Sequence, residues 1–224
     1  MKPIYILGDV HGLFEKLINI VKSNEIRDSI IICVGDLGIG FSDHYKTLKQ
    51  CEYLDKFFRG KDIHFYSIRG NHDSPSYFKG DKRVVLDNFE LIQDYTLKEI
   101  NDQRFLFVGG ATSIDRLHRK PNSSWWEDEI FNLEMSAIKR CDVLITHSAP
   151  TWNGPSDKEG ISYWCDRDPT LWDECLKERK EHDILIKESK AEYHYCGHFH
   201  AYYSVDFNGC RSRILDELEI VEHK

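Results

Sequence analysis

The chain has 224 residues, 41% of them hydrophobic, and a formal charge of −8. That length supports one core burying about 70% of the unfolded surface and is short for two, so a single domain over residues 1–224 is expected. The acidity argues against broad contact with a long nucleic acid, no apolar run nears membrane-spanning length, and seven scattered cysteines without a CxxC pair exclude a disulfide framework or a structural zinc site and point to a reduced, cytoplasmic protein.

Residues 4–7 form an apolar run, too short for a signal-peptide core, that stops at Gly8. Leu13, Phe14, Leu17, Ile18 and Val21 then recur at helical spacing. Residues 29–34 are a second continuous apolar run ending at Gly35, as expected of a strand covered on both faces. The spacing predicts a helix over 43–58, with Leu48, Cys51, Tyr53, Leu54, Phe57 and Phe58 as its buried stripe. A third strand follows over 63–68, and short β-type runs stand at 83–86, 90–92 and 104–108. Residues 127–139 carry Ile130, Leu133, Met135 and Ile138 in a helical pattern ahead of a buried strand over 142–146. Asp168-Pro169 has the form of a helix start running to about His182, and the Glu- and Lys-rich stretch 177–190 reads as a solvated helix face. A last inward strand, 192–196, precedes a hairpin of 201–207 and 210–215 around the type I′ turn signal Asn208-Gly209. The sum is an α/β sandwich: mixed sheets inside, helices outside, and ligands gathered in loops beyond strand ends.

Five polar clusters stand at those strand ends: Gly8-Asp9-Val10-His11-Gly12, Gly35-Asp36-Leu37-Gly38, Gly70-Asn71-His72-Asp73, Thr146-His147-Ser148 and Gly197-His198-Phe199-His200. Asp9 and His11 stand two apart, as do His198 and His200, and in extended backbone that spacing turns both side chains to one side. Nitrogen and oxygen donors without cysteine suit Mn, Fe or Zn and disfavour soft-metal or cluster sites.

Taken in order, GDxHG, GDxG, GNHD, a lone histidine after a strand and GHxH resemble the calcineurin-like metallophosphoesterases of bacterial or phage type, over residues 8–200. The resemblance implies a four-layered αββα sandwich with two mixed β-sheets and a dinuclear metal centre. It assigns one divalent ion to Asp9, His11 and His200 and the other to Asn71, His147 and His198, with Asp36 bridging. Such a site, two carboxylates facing two divalent ions, is net positive and welcomes a phosphate dianion. A water shared by two metals about 3.5 to 4 Å apart loses a proton near neutral pH, so a metal-bridging hydroxide is the expected nucleophile. His72 sits where the family's histidine protonates the leaving oxygen or stabilises the phosphoryl charge.

In the family's protein phosphatases the second motif continues with Asp and Arg; here it reads Gly38-Ile39-Gly40. The acidic partner of the histidine and a phosphate-holding arginine are missing, leaving Asp73 or another residue to orient His72. The expectation is therefore a phosphodiester or nucleotide-type substrate, with a phosphomonoesterase or serine/threonine protein phosphatase as the alternative and a non-catalytic metal-containing binding module behind both. Arg69 adjoins the site and either touches phosphate or pairs with an acid. The loop 113–121, with Arg116 and Arg119, leads into Trp125 and Trp126; alternating cations and tryptophans can stack a base and hold a second phosphate, or simply pack as a flap. The loop resembles a GGAxSxD...WW stretch in bacterial and phage members of the family. Residues 161–164 either edge the cleft as a second loop or, the preferred reading, serve as a hydrophobic anchor for a long loop, and most histidines outside the motifs read as solvated or hydrogen-bonded fillers.

Overall fold

The computed structural model describes residues 1–155 and 158–224. Hydrophobic side chains on both faces of the central strands decide the layering. The first sheet contains β1 (Ile4–Leu7), β2 (Ser29–Cys33), β3 (Ile63–Ser67), β4 (Phe89–Leu91) and β11 (Ile220–His223), in the order β11-β1-β2-β3-β4, with only β11 antiparallel to its neighbour. The second contains β5 (Thr96–Ile100), β6 (Gln103–Val108), β7 (Val143–Thr146), β8 (Tyr193–Cys196), β9 (Tyr203–Phe207) and β10 (Cys210–Ile214), in the order β5-β6-β7-β8-β10-β9. Along β1 and β2, Ile4, Ile6 and Ile32 face one way and Leu7, Ile31 and Cys33 the other. The first set meets Phe105, Phe107, Val143 and Ile145 of the second sheet, forming the layer between the sheets. The second set packs under α1 (Phe14–Ser23) and α2 (His44–Arg59) through Leu17, Val21, Leu54 and Phe58. Leu106, Val108 and Leu144 turn outward beneath Leu185 and Ile186 of a long helix over Leu171–Ser189, and a four-residue helix, α3 (Ser162–Cys165), precedes it, making the long one α4. The result is helix, sheet, sheet, helix, the αββα sandwich.

The hairpin turn is type I′ in fact, with Asn208 and Gly209 both at positive φ. Several expected elements are corrected. Residues 127–139 form no α-helix, only the single 3-10 turn Met135–Ala137. The carbonyls of Asp128, Glu129 and Ile130 accept hydrogen bonds from the Arg69 guanidinium, and Ala111 N–H also donates to Glu129, so these carbonyls are diverted from helical partners. Residues 83–86 make one bridge, Val85 to Glu90, and no strand. β5 and β11 went unanticipated, both being short strands at sheet edges. Asp168 does not cap α4: its carboxylate is held by Arg116 and Thr170, and the helix begins at Leu171 and runs beyond His182 to Ser189. Nor is 177–190 wholly solvated, because Glu178, His182, Leu185 and Ile186 are buried.

The loops after the parallel strands β1, β2, β3, β7 and β8 carry the five polar clusters. Both sheets therefore deliver side chains to one edge of the sandwich.

Candidate metal centre

Four of the converging residues stand in left-handed backbone: His11 at φ +50°, Asp36 at +49°, His198 at +70° and His200 at +46°. Non-glycine residues seldom take that conformation, and where they do the surroundings impose it, often at functional sites. Here the surroundings are explicit. The Asp36 carbonyl accepts from Val10 and His11 N–H at 3.0 and 2.7 Å. The buried Asp73 carboxylate accepts from the N–H groups of Leu37, Gly38, Ile39 and Gly70, stitching the second and third loops together. Asp9 Oδ2 accepts from His198 N–H at 3.0 Å and fixes the fifth loop. Two glycines permit the approach: a Cβ on Gly70 would stand 2.0 Å from Asp36 Oδ1, and one on Gly197 2.0 Å from Asp9 Oδ1.

The donor atoms fall into two groups. Asp9, His11, Asp36 and His200 each offer one, all within 4.8 Å of one another, with His11 Nε2 2.8 Å from His200 Nε2 and His200 Nε2 3.2 Å from Asp9 Oδ2. In the other, Asn71 Oδ1 stands 2.9 Å from His198 Nδ1 and 3.1 Å from His147 Nε2. Asp36 faces both: Oδ2 is 3.8 Å from His11 Nε2 and Oδ1 is 3.3 Å from His147 Nε2. The donors are aimed. His147 Nδ1–H donates to the Val34 carbonyl at 2.9 Å, so Nε2 is the nitrogen turned to the site. Asn71 Nδ2 donates to Ser113 Oγ at 3.1 Å, Ser113 in turn donates to the buried Glu129 carboxylate, and the amide oxygen must then point inward. Asp9 Oδ1 is buried with no hydrogen-bond partner among the described residues. An orphaned carboxylate oxygen, opposed imidazole nitrogens and hard N and O donors suit divalent cations.

The electrostatics ask for positive charge. Burial opposes ionisation of Asp36, yet the imidazoles of His147, His72 and His11 hold its carboxyl well below the usual range. His147, which burial alone would neutralise, is pushed up to about 10 by Asp36 and Asp9. Burial and the His147 charge drive His198 down, while a hydrogen bond to Asp9 draws His200 up. Burial and then Asp36 raise Asp73 to about 6. Glu129 rises to about 7 through burial.

His72 lies beside this centre. Its N–H donates to Asp36 Oδ1 at 2.6 Å, its ring meets that of His11 edge-on at 4.9 Å, and Phe41 stacks on it at 6.2 Å. Nε2 faces the guanidinium of Arg119, which also pairs with Asp115 at 2.7 Å and donates to the Asn71 carbonyl. Burial, with a smaller push from Arg119, lowers His72 to about 4 against the pull of Asp36. Asp73 does not orient His72, its oxygens being spent on backbone N–H groups; Arg119 is the neighbour instead.

The other expected substrate contacts stand elsewhere. Arg69 is buried, bound to Asp94 and three carbonyls, so pairing with an acid is its role. Arg116 joins Asp168, Thr170 and Glu174 at the start of α4. Trp126 is buried and packs edge-on at 5.5 Å against Phe41, which in turn backs His72, and neither it nor Trp125 lines the cleft. A cavity of about 530 Å³ opens from Asp36, Asn71, His72, Arg119, His198 and His200 toward Trp164 and Trp172. Ile161 and Trp164, from the stretch 161–164, therefore form part of its wall. Trp172 was not anticipated; its signal lies in α4, where Trp172, Cys175, Leu176 and Arg179 fall at i, i+3, i+4 and i+7 on one face.

No helix among the described residues is long and apolar enough to cross a membrane. A search of curated proteins found no match. Among solved structures, the chain is similar to a candidate 5′-nucleotidase from Staphylococcus aureus in complex with alpha-ketoglutarate, at 15% identity and a TM-score of 0.54, covering 97% of this chain and 49% of that one. The chain thus spans about half the length of that protein. It is also similar to a phosphopantetheinyl hydrolase from Mycobacterium tuberculosis, at 13% identity and a TM-score of 0.48, covering 96% and 90% of the two chains. An archaeal phosphodiesterase matches at 13% identity and a TM-score of 0.44, covering 96% of this chain and 84% of that one. At these identities the first likeness speaks for the fold alone, and the other two carry no further weight. The model of the calcineurin-like phosphoesterases matches residues 2–202, nearly the whole chain, and the protein belongs to that family.

Proposed function

We propose that the protein is a dinuclear metal-dependent hydrolase of phosphoesters, with a preference for phosphodiesters or nucleotide-type substrates. The observation that carries this reading is the position of Asp36, which turns one carboxylate oxygen to each of two donor groups. In it Asp9, His11, Asp36 and His200 hold one divalent cation, and Asp36, Asn71, His147 and His198 the other. When bound, two such ions supply nucleophile activation and neutralise the phosphoryl oxygens.

The chain's own side chains then divide the remaining work. Asp36 and Asp9 fix the spacing of the donor groups. His72, neutral at working pH and accepting from Arg119, is suited less to giving up a proton than to presenting, with that guanidinium, a donor edge to the phosphoryl oxygens. The missing acidic partner and arginine after the second motif weigh against a phosphoprotein substrate.

The test is an assay of protein stripped of metal and reloaded with Mn²⁺ against paired chromogenic monoesters and diesters, with metal content measured in parallel. Two ions per chain and diester turnover that vanishes in Asp36→Asn are expected. His72→Ala should keep both ions and lose about 10²- to 10³-fold in turnover. Monoester preference would redirect the substrate assignment. Silence on both esters with two ions bound would overturn the hydrolase reading.

A further inference from the structure

The cavity that begins at the donor groups is unequal at its two ends. The end described above is polar. The other is walled by Ile114, Ile161, Trp164, Trp172, Leu176 and Phe199. These side chains are half-buried and no layer of the sandwich core includes Trp164, Trp172 or Leu176. The helix supplying two of them explains how that arises. α4 buries Leu171, Glu178, His182, Leu185 and Ile186 on its sheet side, so Trp172 and Leu176 belong to a second stripe, turned toward the cavity. Half-buried apolar rings lining a concavity of this size are the usual lining of a small-molecule site.

Charge narrows what fits there. Arg179, which lies on the same face of α4, is spent on the carbonyls of Pro150, Thr151 and Asn153. Arg116 is neutralised by Asp168 and Glu174. Glu178 is committed to Thr112 through its N–H and hydroxyl, at 2.7 and 2.8 Å, and Thr151 Oγ1 to Asp183 at 2.7 Å. Arg119 and Asp115 form a pair at the polar end. Among the described residues lining the apolar end, none is a spare cation for a second phosphate, and Glu178, Arg179 and Thr151, which could read a polar edge, are already bonded. What it does offer is the side chains of two tryptophans and a phenylalanine, which favour flat aromatic partners over flexible chains.

Resting on the phosphoesterase reading, we infer that this end of the cavity is the leaving-group site, built for a flat, uncharged aromatic ring attached to the phosphoryl group, whether on a nucleoside or on an aryl alcohol. The phosphoryl group lies against Asn71, His72 and Arg119 while the ring lies between Trp164, Trp172 and Phe199.

Binding of phosphonates, which cannot be hydrolysed, tests the site without turnover. Methylphosphonate, cyclohexylmethylphosphonate, 1-naphthylmethylphosphonate and the 5′-methylenephosphonate analogue of adenosine monophosphate are titrated into the Mn²⁺-loaded protein, followed by calorimetry and by quenching of tryptophan fluorescence. The naphthyl compound is expected to bind about 10-fold more tightly than the other two simple phosphonates, with quenching. That ratio should fall below about 3-fold in Trp172→Leu and, independently, in Trp164→Leu. Because the ratio is taken within one protein sample, a variant that folds poorly does not distort it. Adenosine analogue binding at the naphthyl level would assign the ring to a nucleoside, and binding at the methyl level to an aryl alcohol. Equal affinity for the three simple phosphonates, or a ratio surviving both substitutions, would overturn the ring site and leave the hydrolase reading standing. A ring preference without phosphoester turnover would do the reverse.

Discussion

Asn71 shows how much of a site can depend on a residue that never touches the ligand. An amide can present either oxygen or nitrogen, and it is Ser113, held by Glu129, that takes the nitrogen end and leaves the oxygen between His147 and His198. Ser113→Ala should therefore weaken one of two Mn²⁺ binding steps by about 10- to 100-fold and leave the other near its original affinity, as read by calorimetric titration. Glu129→Gln, which keeps an oxygen acceptor for Ser113, should fall between the two proteins. Equal weakening of both steps, or of neither, would remove this role. The residues of the two proposed donor groups were legible because each sits in a short motif at a strand end, with a glycine where the backbone must come close. Ser113 and Glu129 were not, although both stand in or beside the GGAxSxD...WW stretch, because nothing local says that a serine, a glutamate and a distant asparagine form one chain of hydrogen bonds. Arg69 shows the same limit: an arginine beside a motif faces substrate or structure according to where its long side chain goes, and here Asp94 and three carbonyls decide.

Among the elements, the buried parallel strands were readable as continuous apolar runs, since strands covered on both faces need no alternation. The segment 127–139 misled because its apolar spacing is helical while its carbonyls are claimed from outside. Arg69→Met tests that account. It leaves Asp94 with the Gly109 N–H alone, the Glu129 carbonyl with the Ala111 N–H alone, and the Asp128 and Ile130 carbonyls without a donor, so unfolding free energy should drop by about 3 kcal/mol in urea titration. Hydrogen exchange should quicken first at Ala111, whose N–H leans on Glu129. A loss within experimental error would mean the segment is held by its other contacts, Phe131 with its hydrophobic neighbours and the Tyr95 hydroxyl between Asn132 and Glu134. The edge strands β5 and β11 escaped notice for the opposite reason: β5, Thr-Leu-Lys-Glu-Ile, is mostly half-exposed and polar, and its pairing with β6 supplies what its composition does not.

For the molecule as a whole, pH reports on two histidines buried neutral in the second half of the sandwich. His194, bonded to Thr146 and Ser212, is pushed down to about 3 by burial, and His182, bonded to the Glu178 carbonyl, to about 4. In the unfolded chain both would take a proton near 6.5. Their contribution to stability is thus fully present above about 6.5 and is lost as pH falls toward 4 and then 3. Metal-free protein should show a falling urea midpoint across that window, with a shallower fall in His194→Gln; an unchanged slope would mean that His194 is already protonated in the folded state.

The two donor groups have a further property, set by which sheet each residue comes from. Asp9, Asp36 and Asn71 follow strands of the first sheet, whereas His147, His198 and His200 follow strands of the second. Each proposed ion is gripped from both sides of the apolar seam, as a rivet grips two plates. Filling the centre should therefore raise the melting temperature in proportion to the logarithm of Mn²⁺ concentration, and chelation should loosen the loop-bearing rim of both sheets before the seam parts. Under pulling force, the plates would slip first where the rivets had been drawn.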